Sequence, residues 1–144
     1  MEYLDYLANM KGCPFCGAYS DHNRKILENE NAYLTYSNAP YYRDHLLIIP
    51  KRHFEELVEM TDKESEDIMS LQKKALVMLE KLGHKNISVL ARNGDGTGRS
   101  VKHIHFNIIP EVRLGDMDNK DGKRPVMTEE EIGELMKRFE AEKV

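Results

Sequence analysis

The sequence SVKHIHFNIIP, residues 100–110, alternates polar and apolar side chains. This period of two is typical of a half-buried strand, because successive side chains on a strand point to opposite faces. The pattern predicts that His103, His105 and Asn107 share one face, while the apolar residues between them enter the core. Two imidazoles at this spacing have Cα atoms roughly 6.6 Å apart, which is close enough for both to act on one ligand.

A glycine-rich run, NGDGTGRS at residues 93–100, leads directly into this segment. Glycine has no Cβ, so backbone N–H groups in such a run can approach an anion closely. A single histidine in a strand is more often structural than catalytic. Two on one face, preceded by a glycine loop that also carries Arg99 and Ser100, favour a functional site.

Length and composition set the class of protein. The chain has 144 residues, of which 40% are hydrophobic and 32% are charged, as in soluble globular domains. Its net charge of −4 argues against general nucleic-acid binding. Residues 1–5 are acidic where a secretory signal is basic, and no apolar run approaches the roughly 18 residues of a membrane span. We therefore expect one domain over residues 1–144, located in the cytoplasm, with no nucleic-acid partner and no membrane contact.

The two cysteines, Cys13 and Cys16, form a C-x-x-C pair. In a reducing compartment this spacing indicates a metal site or a redox motif rather than a structural disulfide. A redox motif normally opens a helix after a strand, and no strand pattern precedes this pair, so a metal site is favoured. The pair would supply half of a tetrahedral zinc shell, which two histidines from elsewhere would complete.

The rest of the chain predicts an antiparallel α+β fold. Thr61 and Glu64 form a capping box that starts a long amphipathic helix ending at Gly83. Thr128 and Glu131 form a second capping box that starts a C-terminal helix. Short apolar or alternating runs predict further strands at residues 26–27, 32–36, 46–49 and 87–91.

The motifs together carry a resemblance to a known family. HIHFNII at residues 103–109 resembles the signature of the histidine triad (HIT) nucleotide hydrolases and transferases, in which histidine alternates with apolar residues three times. HLLIIPKRH at residues 45–53 is similar to that family's strand motif, and the glycine loop is similar to its phosphate loop. CPFC at residues 13–16 resembles the N-terminal knuckle of its zinc-bearing branch. The resemblance covers about residues 13–110 and leaves residues 111–144 as an extension.

The resemblance implies a sheet of about five antiparallel strands, usually in a homodimer. It implies a structural zinc ion held by Cys13, Cys16, His53 and His103, because two thiolates and two imidazoles make a closed tetrahedral shell. It also implies that His105 is the nucleophile on the α-phosphorus of a nucleotide, forming a phosphoramidate that water or another acceptor then attacks.

Other site residues follow from the same resemblance. Ser100 and the loop amides would stabilise charge on the phosphate oxygens. The ribose would be bound near Ser37 or Asn38, between which the sequence does not choose. The remaining substrate-binding candidates are His45, Asn93 and Arg99.

Three positions depart from the family pattern. Asp44 stands where glycine is usual before His45, which indicates a different turn there. Asn107 stands where the third histidine is expected, and an amide can donate a hydrogen bond but cannot deliver a proton. Arg99 stands where glutamine is usual, which adds a fixed charge. Hydrolysis of a nucleotide phosphoanhydride or phosphoramidate is the leading interpretation. Nucleotidyl transfer, phosphorolysis of a dinucleoside polyphosphate, and a zinc-stabilised binding module with little turnover are the alternatives.

Overall fold

A computed structural model describes residues 2–9, 11–17, 24–113 and 125–143. The chain divides into two compact units, Met1–Val112 and Arg113–Val144. A single domain over all 144 residues stays a prediction. No helix in the described part of the chain is both long enough and apolar enough to cross a membrane.

The first unit is built on an antiparallel sheet. This finding confirms the predicted antiparallel α+β class. Two 3-10 turns, at Leu57–Glu59 and Asp95–Thr97, lie in the connections. The elements in chain order are α1 (Tyr3–Ala8), β1 (Leu27–Glu28), β2 (Ala32–Tyr36), β3 (Leu46–Pro50), α2 (Asp62–Lys81), β4 (Ile87–Ala91) and β5 (Phe106–Pro110). Within the sheet, the strands lie in the order β1-β2-β3-β5-β4.

Helix α2 covers one face of the sheet. It begins as predicted, with the Thr61 hydroxyl accepting from the Glu64 N–H at 3.1 Å and the Glu64 carboxylate accepting from the Thr61 N–H at 2.9 Å. Arg52 donates to the same carboxylate at 2.8 Å. The buried face of the helix packs on strand residues that point the same way, and this core contains Leu34, Leu46, Ile48, Ile68, Leu71, Ala75, Leu79 and Ile108.

The opposite face of the sheet, here called the site face, carries a second and smaller core. Leu47 and Ile49 of β3 pack there with Tyr33 and Phe15. The Tyr33 hydroxyl donates to the carbonyl oxygen of Phe15 at 2.7 Å. These contacts attach the segment that carries the two cysteines to the middle of the sheet.

The histidine segment is only partly a strand. β5 begins at Phe106, so His103 and His105 precede it, and the prediction of one continuous strand is wrong for both histidines. The backbone before Phe106 bonds outside the sheet, since the Ile104 N–H donates to the carbonyl oxygen of Phe54 at 2.9 Å. The alternation of side chains persists within β5 itself.

The second unit contains helix α3, Glu129–Ala141. Its start confirms the second capping box, with the Thr128 hydroxyl accepting from the Glu131 N–H at 3.2 Å. The apolar residues of α3 are not buried within this unit, and Phe139 is 67% exposed.

Leu71 provides a test of the core. Its side chain is 1% exposed between α2 and the sheet. We expect Leu71→Ala to lower the free energy of unfolding by about 3 kcal/mol, because the substitution leaves a cavity. Met69→Ala, two residues earlier on the same helix but 51% exposed, should cost less than about 0.5 kcal/mol. Urea unfolding followed by circular dichroism measures both, and equal losses would contradict this packing.

Candidate active site and metal-binding cluster

His105 is fixed in one tautomer by its own backbone. Its Nδ1 lies 2.9 Å from the carbonyl oxygen of His103. A carbonyl oxygen can only accept, so Nδ1 carries the hydrogen and Nε2 keeps a free lone pair. Among the described residues Nε2 has no hydrogen-bond partner. The ring packs edge-on against Phe15, with ring centroids 4.9 Å apart. His105 therefore presents an unprotonated nitrogen of the kind that nucleophilic catalysis requires.

Burial keeps this imidazole neutral. It lowers the pKa of His105 below its ordinary value, and the positive charges of Arg92 and Arg99 lower it further. The hydrogen bond to the His103 carbonyl acts in the opposite direction but is smaller. The uncharged and nucleophilic form of the ring is thus favoured at neutral pH.

His45 and Asn107 form a hydrogen-bonded pair whose direction can be assigned. The Tyr41 N–H donates to Nδ1 of His45 at 3.2 Å, so the hydrogen of this ring is on Nε2. Nε2 then donates to Oδ1 of Asn107 at 3.1 Å. Burial lowers the pKa of His45, and the charge of Arg92 lowers it further. Both ring nitrogens are used within the protein, so direct contact of His45 with a nucleotide stays a prediction.

The other half of the Asn107 amide is unsatisfied. Asn107 is 5% exposed, and its Nδ2 is the one buried side-chain polar atom without a partner in the described part of the chain. Leaving such a donor unpaired costs about 1–3 kcal/mol. Because His45 fixes the amide oxygen, the NH₂ group is held as a donor for whatever occupies the site face.

Four residues from three parts of the chain form a Cys–His cluster: Cys13, Cys16, His53 and His103. Their ligand atoms all lie within 4.8 Å of one another. The Nδ1 of His103 is 3.4 Å from the sulfur of each cysteine, and the Nδ1 of His53 is 3.4 Å from the sulfur of Cys16. The structure thus brings the four predicted ligands together, and they could bind a metal ion.

The donor set and its spacing fit a tetrahedral ion. A sulfur and a nitrogen on one zinc ion stand about 3.6 Å apart, which is close to the distances in the cluster. The Nε2 of His103 lies 2.8 Å from the carbonyl oxygen of Pro50, so Nε2 carries the hydrogen and Nδ1 is free to coordinate. Burial lowers the pKa of His103 to about 4, which keeps this nitrogen unprotonated.

The glycine loop is held in place by hydrogen bonds and an ion pair of its own polar side chains. Gly94 and Gly98 have φ values of 103° and 84°, which favour glycine. The Asn93 oxygen accepts from the Leu57 N–H at 2.7 Å. The Arg99 side chain is 4% exposed, and its guanidinium pairs with Asp95 at 3.0 Å.

These bonds give Asn93 and Arg99 structural roles. Arg99 also donates to the carbonyl oxygen of Glu55 at 2.6 Å, which attaches the loop to the segment before α2. Substrate binding by Asn93 or Arg99 stays a prediction.

The other predicted residues lie around this site. Ser100 lines a pocket together with His53 and Lys102, beside the Cys–His cluster. Ser37 is partly buried, and its hydroxyl accepts from the Ala39 N–H at 3.3 Å, while Asn38 is exposed. Roles for Ser100, Ser37 and Asn38 with a nucleotide stay predictions.

Comparison with known proteins defines the family. A family model described as the HIT domain matches residues 20–114. The chain belongs to the HIT family. An uncharacterized HIT-like protein of Methanocaldococcus jannaschii is 30% identical to this HIT protein over 118 residues, which cover 76% of this chain and 92% of the relative. An adenosine 5′-monophosphoramidase of Schizosaccharomyces pombe is 38% identical over 73 residues, which cover 51% of this chain and 53% of the relative.

Solved structures agree with the fold. A histidine triad nucleotide-binding protein of Candida albicans superposes on this HIT protein with a TM-score of 0.76 at 24% identity, covering 91% of this chain and 96% of that one. A hypothetical protein from Leishmania major superposes with a TM-score of 0.72 at 27% identity, covering 93% and 95%. The arrangement of strands and helices is therefore that of the HIT fold.

Two residues near the site were not among those predicted from the sequence. Phe15 lies between the two cysteines in the sequence, and its ring contacts both His103 and His105. Arg92 is the second residue. It lies two positions after Leu90, which is the spacing of side chains on one face of a strand. Leu90 pairs with Asn107 in the sheet. The sequence therefore indicates the position of Arg92 only when the register of the two strands is known.

The Cys–His cluster can be tested by titration with Co²⁺, which takes the same tetrahedral geometry as zinc. We expect about one ion per chain with a thiolate-to-cobalt absorption band. Cys16→Ser should weaken binding strongly, because it removes one thiolate. His45→Gln, which changes a histidine outside the cluster, should leave the stoichiometry unchanged. Equal metal binding by the wild type and Cys16→Ser would contradict the assignment.

Proposed function

We propose that this HIT protein hydrolyses a nucleotide at its α-phosphorus through a covalent intermediate on His105. The observation that carries the proposal is the bare Nε2 of His105, fixed by the bond from Nδ1 to the His103 carbonyl. Two of the relatives are named as adenosine 5′-monophosphoramidases, which supports a nucleotide as the substrate. The substrates proposed are dinucleoside polyphosphates, or small molecules that carry an adenylyl group.

In the first step, Nε2 of His105 attacks phosphorus, and the bond from phosphorus to the leaving group breaks with its electron pair going to the leaving group. The product is a nucleoside phosphoramidate of His105 and a free leaving group. In the second step, water attacks the same phosphorus, the P–N bond breaks, and the nucleoside monophosphate is released. Two easier steps replace one difficult step.

The neighbouring residues stabilise these steps. The unpaired Nδ2 of Asn107 would donate to a phosphate oxygen and would thereby recover the bond that it lacks in the free protein. Ser100 and the amides of the glycine loop would hold other oxygens, as the family pattern implies. The ribose would lie near Ser37 or Asn38.

The Cys–His cluster is proposed to hold a structural zinc ion. Four protein ligands close the shell and leave no position for water or substrate. The ion would fix the cysteine segment to His103, two residues before the nucleophile. No step of the proposed reaction uses it.

A homodimer is proposed, as is usual in the family. β4 lies at the edge of the sheet, and its Val89 is 41% exposed. An open strand edge of this kind can pair with a second chain. A cytoplasmic location remains an expectation from composition.

A second candidate function is nucleotidyl transfer, including phosphorolysis. Asn107 favours it, because the amide cannot supply a proton to a leaving group. Transfer between phosphates needs no such proton. A binding module with little turnover is less well supported, because the tautomer and the burial of His105 suit a nucleophile.

Trapping the intermediate tests the first proposal. Incubation with an α-³²P-labelled dinucleoside polyphosphate should label the protein, with the acid-labile bond of a phosphohistidine. His105→Asn should take no label and should lose at least about 10³-fold in kcat. Equal thermal midpoints and metal contents would show that this variant folds. Full turnover by His105→Asn would contradict the proposal, and nucleotide binding without label in the wild type would favour the binding module.

Added phosphate separates hydrolysis from phosphorolysis. Hydrolysis of a dinucleoside polyphosphate gives nucleoside monophosphate at every phosphate concentration, and we expect this product to dominate. Phosphorolysis would give nucleoside diphosphate, because the second acceptor is then phosphate instead of water. Chromatography of the products across a phosphate titration distinguishes the two reactions. An amount of nucleoside diphosphate that rises with the phosphate concentration would favour phosphorolysis, the second candidate.

A further inference from the structure

Asp44, the residue before His45, has an unusual backbone conformation. Its φ is 69°, and Glu111, with a φ of 62°, is the other non-glycine residue with a positive φ in the described part of the chain. Residues other than glycine rarely adopt this left-handed region, because their Cβ comes too close to the backbone. Aspartate thus stands where glycine is usual and yet has the conformation that glycine favours. This backbone gives no support to the different turn that the sequence indicated.

The conformation of Asp44 shapes the turn that carries His45 into the site. The His45 N–H donates to the carbonyl oxygen of Tyr42 at 3.1 Å, which closes a turn with Asp44 as its third residue. Type II turns require a positive φ at this position. In the same segment the Tyr41 N–H donates to Nδ1 of His45 at 3.2 Å, and Nε2 of that ring donates to Asn107 at 3.1 Å. The orientation of the Asn107 amide therefore depends on this turn.

A hydrogen bond from His84 holds the Asp44 side chain. Nε2 of His84 lies 2.7 Å from Oδ2 of Asp44, and a carboxylate oxygen only accepts, so Nε2 donates. The His84 side chain is 11% exposed, against 84% for Arg43, whose Nε lies 3.7 Å from the same oxygen. A bond that is shielded from water contributes more than an exposed ion pair. The His84 ring also packs edge-on against Tyr42 of the turn, with ring centroids 6.2 Å apart.

His84 is itself held from two directions. It follows Gly83, which has a φ of 97°, and its N–H donates to the carbonyl oxygen of Leu79 at 3.1 Å, as in the Schellman motif that ends many helices. On the other side, the carboxylate of Glu111 accepts from the Lys85 N–H at 2.7 Å and lies 3.8 Å from Nδ1 of His84. The imidazole is therefore fixed between the end of α2 and the end of β5, and Asp44 is bonded to this fixed group.

We propose that His84 is a positioning residue, which through its hydrogen bond to Asp44 keeps the turn in the conformation that holds His45 against Asn107. Glycine would need no such bond, because it has no Cβ and adopts a positive φ freely. In this protein the bond from His84 stabilises the same conformation for an aspartate. The consequence for catalysis rests on the proposed function, since His45 determines that the NH₂ group of Asn107 is the end of the amide available to a phosphate oxygen.

The substitution Asp44→Gly provides the kinetic test, measured at steady state on diadenosine tetraphosphate. His84→Ala alone should lower kcat by about tenfold, the effect of one lost hydrogen bond to a charged group, and should change KM by less than about threefold. Asp44→Gly alone should stay within about threefold of the wild type, because glycine adopts the required φ without strain. In the Asp44→Gly background, His84→Ala should lower kcat by less than about twofold. An equal loss in both backgrounds, or no loss from His84→Ala alone, would overturn the proposal.

Two further variants serve as controls. His84→Gln keeps a donor at this position and should lose less activity than His84→Ala. Arg43→Gln removes the exposed charge near the same carboxylate oxygen and should leave kcat and KM unchanged. A loss in Arg43→Gln as large as that in His84→Ala would overturn the proposal. If His84→Ala does not fold, the double variant Asp44→Gly/His84→Ala is still expected to fold, and failure of both would overturn the proposal.

A spectroscopic measurement separates the role of His84 from the proposed function. In ¹⁵N-labelled protein, the His45 ring signals are identified by nuclear magnetic resonance through their loss in His45→Gln. The wild type should show one tautomer, with the hydrogen on Nε2. His84→Ala should give the averaged signals of two tautomers, and Asp44→Gly/His84→Ala should restore the wild-type pattern. Unchanged His45 signals in His84→Ala would overturn the proposal. If the wild type shows no turnover, the proposed function fails, and the ring signals alone decide on His84.

Discussion

One hydrogen bond, from the Nδ1–H of His105 to the carbonyl oxygen of His103, determines the geometry of the site. It selects the tautomer that leaves Nε2 without a hydrogen, and it joins His105 to a residue whose own ring is held on both sides. The ring of His103 donates to the Pro50 carbonyl at 2.8 Å, while its other nitrogen faces the two sulfurs of the Cys–His cluster. Phe15 packs against both imidazoles. His105, the proposed nucleophile, thus lies two residues after His103, which is a member of the Cys–His cluster.

The same segment contains a buried donor, the Nδ2 of Asn107, that has no hydrogen-bond partner among the described residues. A buried amide without a partner costs about 1–3 kcal/mol, and the two cores on either face of the sheet offset such a cost. The Asn107 amide presents its oxygen to His45 rather than its NH₂ group, because Nε2 of that ring carries a hydrogen and needs an acceptor. The unpaired NH₂ group of Asn107 lowers the stability of the free protein, and a ligand oxygen that accepts its hydrogen bond can restore that stability.

The sequence was sufficient to predict the fold class and the close approach of the four residues of the Cys–His cluster. The apolar run of β3 and the capping box of α2 are local signals that the tertiary structure does not override. The start of β5 was not predictable in this way, because the residues before Phe106 bond to the backbone of Phe54 instead of to a neighbouring strand. A long-range hydrogen bond of this kind cannot be predicted from the alternation of polar and apolar side chains in the sequence.

Side-chain partners were the least predictable feature. Arg99 was expected at the substrate because it lies in the glycine loop, but its guanidinium is used by Asp95 and Glu55. Arg92 resembled an ordinary residue after a strand, and only the register of β4 against β5 places it beside Asn107. Sequence spacing indicates which residues share a face of a strand. Which donor pairs with which acceptor depends on the tertiary structure.

The most direct test is a crystal structure of this protein with a non-hydrolysable dinucleoside polyphosphate. The account predicts that the α-phosphorus lies about 3–3.5 Å from Nε2 of His105, with Nδ1 still bonded to the His103 carbonyl and the Asn107 NH₂ group on a phosphate oxygen. A nucleotide bound with its α-phosphorus far from this nitrogen, or a ring whose Nε2 is hydrogen-bonded to the protein, would contradict it.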